Sequence, residues 1–395
     1  MSKIDKLLNT MELVHYMEKF KNKVFIFVVT EKNYIRDIIP DIIILQSFNI
    51  KVVLILGYKE DEELEKLMQE NNKMILKISS VLKKNHLNPL PFLGSEIYTK
   101  KIDGKVEITG FDTEILKFAL NKNKIPIIMP TGMDKRGNYN KLDGKEIALE
   151  LAKTIKSDMV YLISELDGIE VNGEKRQFLN YSEVIKILKR TDKLDNKTKE
   201  ILEYSLRLMD FGVDCGILKG ETGNIYGEVF SYDTYGTLIK KVDDERIRNA
   251  YIEDVQSIYL LIKNEVNSNN ILPIKEDDIE EEISDYIVYD VDNSIVALGK
   301  LNDYNEAAEI AKIATFPRYQ GGKKAKKLCE KLIKKAAKKG KKYVFGLSVN
   351  DKMIRLFEGL NFYEVDRENL PMKWKENYDF TRPSRAFRLD LENEK

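Results

Sequence analysis

Residues 307–328 read AAEIAKIATFPRYQGGKKAKKL, and this stretch decides the architecture of the C-terminal part of the chain. Ile310 to Thr315 forms a short apolar strand, broken by Pro317. Gln320-Gly321-Gly322-Lys323-Lys324-Ala325 forms a glycine-bearing turn, and a Lys-rich helix starts where it ends. Strand, turn and helix N-terminus present several free backbone N–H groups at one point, which suits a pyrophosphate. The helix carries Ala325, Leu328, Cys329, Leu332, Ile333 and Ala336 at helical spacing, with lysines on its other faces. Those lysines read first as a solvated face and second as an attraction for phosphates.

Working outward, YIVYDVDNSIVALGKL before the stretch reads as a hairpin turning at Asp292-Asn293-Ser294. The charged run Lys275–Asp285 reads as a solvated helix face. After the stretch come a strand, Tyr343–Ser348, then Asn350 and a helix ending in Leu356–Phe362. The first part of the chain has another rhythm. Apolar spacing over residues 8–20 reads as a helix, and Val24–Val29 as a buried strand. Further strands are expected at Val52–Gly57, Ile125–Pro130, Met159–Ser164 and Gly216–Gly220. Helices are expected over 60–84, Gly144–Ile155, Glu183–Leu188 and Lys199–Met209. Strands alternating with helices predict an α/β parallel sheet covered by helices. The rhythm changes at Ile239–Asp244, so the domain boundary is placed at Lys241, giving domains 1–241 and 242–395. No internal repeat is visible.

The 395 residues suffice for two domains with real cores. Hydrophobic content of 43% and charged content of 33% belong to a globular protein. Lys+Arg and Asp+Glu are both 65, so no net field draws the chain to nucleic acid or membrane. Cys215, Cys329, His15 and His86 make neither a disulfide framework nor a clustered metal site. Neither a signal pattern nor a membrane-spanning run is visible; Pro40, Asp41 and Gln46 interrupt the apolar run of Ile38–Ile50. A cytoplasmic protein without a metal is expected.

The turn at Gln320–Ala325 is similar to the Gln/Arg-x-x-Gly-x-Gly/Ala loop of GNAT acyltransferases, which binds the pyrophosphate of acetyl-CoA; Lys323 stands where that family has Gly. The segment from Asn350 through Phe357 and Phe362 resembles the last characteristic GNAT segment, with Phe357 at a position where many members carry an acidic Tyr. Phe cannot donate a proton. The tail LPMKWKENYDFTRPSRAFRLDL, Leu370 to Leu391, resembles the C-terminal signature of N-acetylglutamate synthases through Leu370, Pro371, Tyr378, Arg382 and Ser384. YMEKFKNKVFIFV (Tyr16–Val28) and GEVFSYDTYGTLI (Gly227–Ile239) resemble the opening and closing segments of the amino-acid-kinase fold of N-acetylglutamate kinase type. These resemblances imply an α/β amino-acid-kinase-like sandwich followed by a smaller α+β GNAT domain.

The activity implied is acetyl transfer from acetyl-CoA to L-glutamate, the first step of arginine biosynthesis. Glu309 matches the family's base, and Ser348 the group that protonates the thiolate; strand-end capping is its alternative role. Lys275, Lys312, Lys373, Lys375, Tyr378, Arg382 and Ser384 fall at substrate positions, cations being needed for two carboxylates. Trp374 replaces a family Arg there. Lys312 lies three residues after Glu309, so sharing one face requires a bulge. Arg382 and Ser384 are expected on one face of the tail strand. Ile313, Ala314 and Thr315 would offer N–H groups to the acetyl carbonyl; Gln320, Gly321, Gly322, Lys323, Lys324, Ala325 and Asn350 complete the cofactor site. In the first domain, Val28-Val29-Thr30-Glu31-Lys32-Asn33 lacks the strand lysine and glycine pair of a working kinase. Tyr139-Asn140-Lys141-Leu142-Asp143 is reduced in the same way, so loss of phosphoryl transfer is implied. Tyr16, Phe20, Glu228 and Gly236 match positions that bind an L-arginine effector in related proteins; simple packing is the alternative for the two aromatics. A homo-oligomer, tetramer or hexamer, is implied too. Two other readings stay open: a GNAT acting on another amino acid or amine, and a non-catalytic arginine-sensing scaffold.

Overall fold

The computed structural model describes residues 13–391 apart from 15, 32, 59–61, 191–193, 232–233, 243, 268–269 and 322. Chain packing divides it into two compact units, Met1–Lys241 and Val242–Lys395.

In the first unit, Val24–Val29 is apolar along its whole length because both of its faces are covered. Phe25, Phe27 and Val29 enter one buried cluster, while Ile26 and Val28 enter another on the opposite face. Val52, Leu54 and Leu56 join the first, and Val53 and Ile55 the second. The result is an eight-stranded sheet with apolar side chains packed on each side. Its order is Phe178–Asn180, Gly236–Lys240, Asp214–Lys219, Met159–Ser164, Val24–Val29, Lys51–Leu56, Lys124–Ile128 and Asn88–Phe92. All pairs are parallel except Asp214–Lys219 with Gly236–Lys240. Gly236 is required in that pair, since a Cβ there would lie 2.0 Å from the Ile217 carbonyl oxygen. The strands Met159–Ser164 and Val24–Val29 and the helix Gly144–Ile155 have the bounds read from sequence. The strand expected at Gly216–Gly220 spans Asp214–Lys219, because pairing on both sides carries it further back.

The second unit is built on a seven-stranded sheet ordered Glu245–Asn249, Tyr286–Val291, Ser294–Tyr304, Ala307–Thr315, Tyr343–Ser348, Arg385–Asp390, Tyr363–Val365. Only Ala307–Thr315 and Tyr343–Ser348 pair in parallel; every other pair is antiparallel. The turn of the first hairpin is Asp292-Asn293, both left-handed, and Ser294 already belongs to the next strand. The strand of the opening stretch starts three residues before Ile310, since the turn after Tyr304 pairs Tyr304 with Ala307. The helix Lys324–Lys338 buries Leu328, Cys329, Leu332 and Ala336 against the sheet and leaves most of its lysines in solvent.

Candidate active site

The two parallel strands share three register pairs, Ala307↔Tyr343, Ala308↔Val344 and Glu309↔Phe345, and then no more. Both continue, one to Thr315 and the other to Ser348, so their facing edges part just past Glu309. Gly346 sits at the fork, where a Cβ would lie 2.6 Å from the Phe357 ring and 3.1 Å from the Ile310 carbonyl oxygen. Pairing on the other flank of the loop-bearing strand slips between Leu298 and Lys300. There Lys312 adopts φ 53, and this is the bulge that its spacing from Glu309 requires.

Glu309 is partly buried at this fork. Asn302, its cross-strand register partner, donates Nδ2–H to Oε2 at 2.9 Å, and Trp374 lies with Nε1 3.3 Å from Oε1. Burial pushes the carboxyl above its ordinary value, against those two donors and the charges of Lys300 and Lys312. A carboxyl held above its ordinary value binds a proton more readily than a free one. Lys312 Nζ donates to the Leu272 carbonyl at 2.8 Å. Burial and the nearby Lys300 hold Lys312 down at about 8. Arg382 donates to the Asn270 carbonyl at 2.9 Å, so the Asn270–Leu272 segment ties both cations to one side of the fork.

The turn at Gln320–Ala325 has features that suit an anion such as a pyrophosphate. Gln320 donates to the Thr315 carbonyl at 3.2 Å and braces the turn. Gly321 and Lys323 are left-handed, at φ 80 and 61, which turns the chain into the helix. The first helical bond is Lys327 N–H to Lys323 O, so the N–H groups of Lys324, Ala325 and Lys326 precede it. Gly322 lies outside the described residues. Ile313, Ala314 and Thr315 lie on the loop-bearing strand beyond its last parallel pair, Glu309↔Phe345.

Several expected residues sit elsewhere. The Lys324 side chain is buried and bonds Glu245 at 3.0 Å, so only its backbone serves the loop. Asn350 caps the helix Asp351–Glu358 by accepting the Lys352 N–H, and its Nδ2–H goes to Asn270. The Ser348 hydroxyl accepts the Asn350 N–H at 2.9 Å, which is the capping role, at the end of one fork strand. Arg382 and Ser384 are not on the tail strand, which starts at Arg385 because its pairing with Ser348 begins there. Ser384 Oγ instead bonds Tyr378 OH. Lys375 turns to the Glu368 carbonyl at 3.0 Å and Lys373 is exposed, the short helix Met372–Lys375 directing Trp374 inward. Lys275 is exposed at the start of the helix Glu276–Glu281. Phe357 is core, stacked on Phe387.

Asn302, Lys300 and Trp374 are residues that sequence reasoning did not assign to the site. Counting back from the turn at Asn305-Glu306 pairs Asn302 with Glu309, a signal the sequence carries. In the first unit, Glu228 is buried and its Oε2 accepts the Tyr235 N–H at 3.2 Å. Tyr16 stacks on Phe20 with ring centroids 6.0 Å apart, and both pack on the cluster that includes Phe230. After the first strand, the Tyr34 ring fills the space over Gly220, where a Cβ would lie 2.3 Å from it. Among the described residues, no group of three or more His, Cys, Asp or Glu could hold a metal ion. No described helix is long and apolar enough to cross a membrane.

Residues 252–362 match the family model described as Acetyltransferase (GNAT) family. The chain is 25% identical over 414 aligned positions to the amino-acid acetyltransferase of Vibrio cholerae, covering 92% of each. It is 24% identical over 438 positions to that of Pasteurella multocida, covering 97% of this chain and 99% of the relative. The crystal structure of N-acetylglutamate synthase from Neisseria gonorrhoeae complexed with coenzyme A and L-arginine matches at TM-score 0.62 and 20% identity. That match covers 99% of this chain and 100% of the other. The same enzyme complexed with coenzyme A and N-acetyl-glutamate matches at TM-score 0.56 and 20% identity. The chain is thus similar, along nearly its whole length, to amino-acid acetyltransferases, has the fold of N-acetylglutamate synthase, and carries a GNAT acetyltransferase domain in its second unit.

Proposed function

We propose that the protein is an amino-acid N-acetyltransferase making N-acetyl-L-glutamate from acetyl-CoA and L-glutamate, the first step of arginine biosynthesis. The observation that carries this reading is the Glu309 carboxylate, raised by burial and set where two strands part. Glu309 takes a proton from the glutamate ammonium, directly or through water, and the freed amine attacks the thioester carbonyl. The C–N bond forms while backbone N–H groups of Ile313–Thr315 receive the developing oxyanion. The C–S bond then breaks, the attacking nitrogen sheds its second proton to give the amide, and the thiolate gains a proton relayed through Ser348 or from water. Lys312 and Arg382 hold the substrate carboxylates, exchanging the carbonyls of Leu272 and Asn270 for them.

L-arginine is the effector of the first unit, with its guanidinium or α-amine on Glu228 and its stem against Tyr16 and Phe20. Phosphoryl transfer is absent there: Thr30, Glu31 and Tyr34 stand where phosphate-binding glycines and lysine would be needed. The active form is a homo-oligomer. One observation favours a second reading, acetylation of a different amino acid: Trp374, an indole, stands in place of an arginine. Thiol release from acetyl-CoA across a panel of amino acids, with and without arginine, decides between them. Glutamate-selective release supports the synthase; release with another amine moves the substrate and keeps the chemistry. No release with any acceptor would sink both.

A further inference from the structure

Trp374 is 3% exposed, and its surroundings fix it in one orientation. Tyr378 stacks on it at 4.3 Å between ring centroids with 26° between planes. Phe345, the register partner of Glu309, meets it edge-on at 5.9 Å, and Phe380 does so at 6.0 Å. Leu370 packs in the same cluster, and the Trp374 backbone N–H donates to the Pro371 carbonyl. Tyr378 is held in turn by Ser384. Leu370, Pro371, Tyr378 and Ser384, quoted above as a tail signature, therefore form the mount of one indole. That indole points its N–H at Glu309, 3.3 Å from Oε1, while Asn302 occupies Oε2.

We propose that Trp374 is a positioning residue for the base: with Asn302 it grips one Glu309 oxygen each and fixes the direction in which the carboxylate accepts a proton. This inference rests on Glu309 acting as the base of acetyl transfer. A carboxylate free to rotate would spread its lone pairs over directions that do not meet the amine. Each donor also favours the ionised form, opposing burial. Among the described residues, the other charged or titratable groups facing the carboxylate are Lys300 and Tyr304 from the neighbouring strand and Lys312 from its own.

Trp374 is the single tryptophan of the chain, so its emission reports this contact with no substrate present. In the full-length protein, indole emission is expected to shift with pH, with a midpoint above the ordinary carboxylate value, and the shift should vanish in Glu309→Gln. Emission that ignores pH, or a transition that survives in Glu309→Gln, overturns the contact. Trp374→Phe keeps a packed ring and deletes the N–H. It should lower kcat roughly tenfold, the value of one hydrogen bond to a charged group. The acid limb should move to higher pH while KM for acetyl-CoA stays put. A Trp374→Phe enzyme with the parent kcat and acid limb overturns the positioning role. If the parent releases no thiol with any amine while its indole still titrates with Glu309, the acetyltransfer reading fails and the contact stands.

Discussion

Burial sets the Glu309 carboxyl above its ordinary 4.5, so the folded state disfavours the ionised form relative to the unfolded chain. Stability contributed at this position is therefore lost as pH rises from about that ordinary value through the raised one. Glu309→Gln should unfold at a higher temperature than the parent at neutral pH, while its kcat falls by about 10²- to 10⁴-fold. Calorimetry beside thiol release checks both, and a variant both inactive and less stable would contradict the burial argument. Lys312 gives the opposite limb. Held at about 8, it is protonated and able to bind a carboxylate below that pH and neutral above it. The profile of kcat/KM for the amino acid should thus fall through about 8, and Lys312→Arg should carry that fall to higher pH. An alkaline limb unmoved by Lys312→Arg would assign it to another group.

At the scale of single elements, the turn before the helix Lys324–Lys338 is strained at one position. Lys323 sits at φ 61 directly before the helix, a conformation that glycine adopts freely and a lysine does not. Lys323→Gly should stabilise the protein by about 1 kcal/mol, read from urea unfolding, with KM for acetyl-CoA unchanged because only backbone N–H groups follow. In the first unit, Asp41 performs from a distant helix what an N-cap side chain does. Its carboxylate accepts the N–H groups of Gly223 and Ile225 at 3.0–3.1 Å and so closes the start of the helix Asn224–Phe230. Asp41→Ala should cost about 2 kcal/mol. It should also weaken arginine binding through Glu228 on that helix, which calorimetric titration would detect; full-strength binding would separate the helix from the effector.

At the scale of the whole molecule, the cut between Lys241 and Val242 leaves both sheets whole, since Glu245–Asn249 opens the second one just after it. A chain of residues 242–395 should fold on its own core and release thiol with glutamate, yet ignore arginine. Glu228→Ala in the full chain should lose the arginine response with catalysis retained. An insoluble or inactive fragment would show that the first unit does more than respond to an effector.

The sequence alone carried whatever depends on local pattern. Unbroken apolar runs such as Val24–Val29 and Met159–Ser164 could only be strands covered on both faces, and the helical spacing in Gly144–Ile155 gave that helix its bounds. The need for a bulge at Lys312 and the glycine turn before Lys324 were legible because spacing and backbone chemistry constrain them, whereas Glu309 stood out only through its resemblance to the family's base. Asn88–Phe92 was not legible: Pro89 and Pro91 depart from the usual strand pattern, and they are tolerated because this strand lies at the sheet edge. The roles of single side chains at the fork were decided only in three dimensions. Lys324 and Lys375 turn to Glu245 and Glu368, away from the ligands their positions implied, because partners distant in sequence or on the next turn compete for each ammonium. Trp374 looked like the loss of a cation. Only the packing of Phe345, Tyr378 and Leu370 around it turns its N–H toward a carboxylate 65 residues away in the chain.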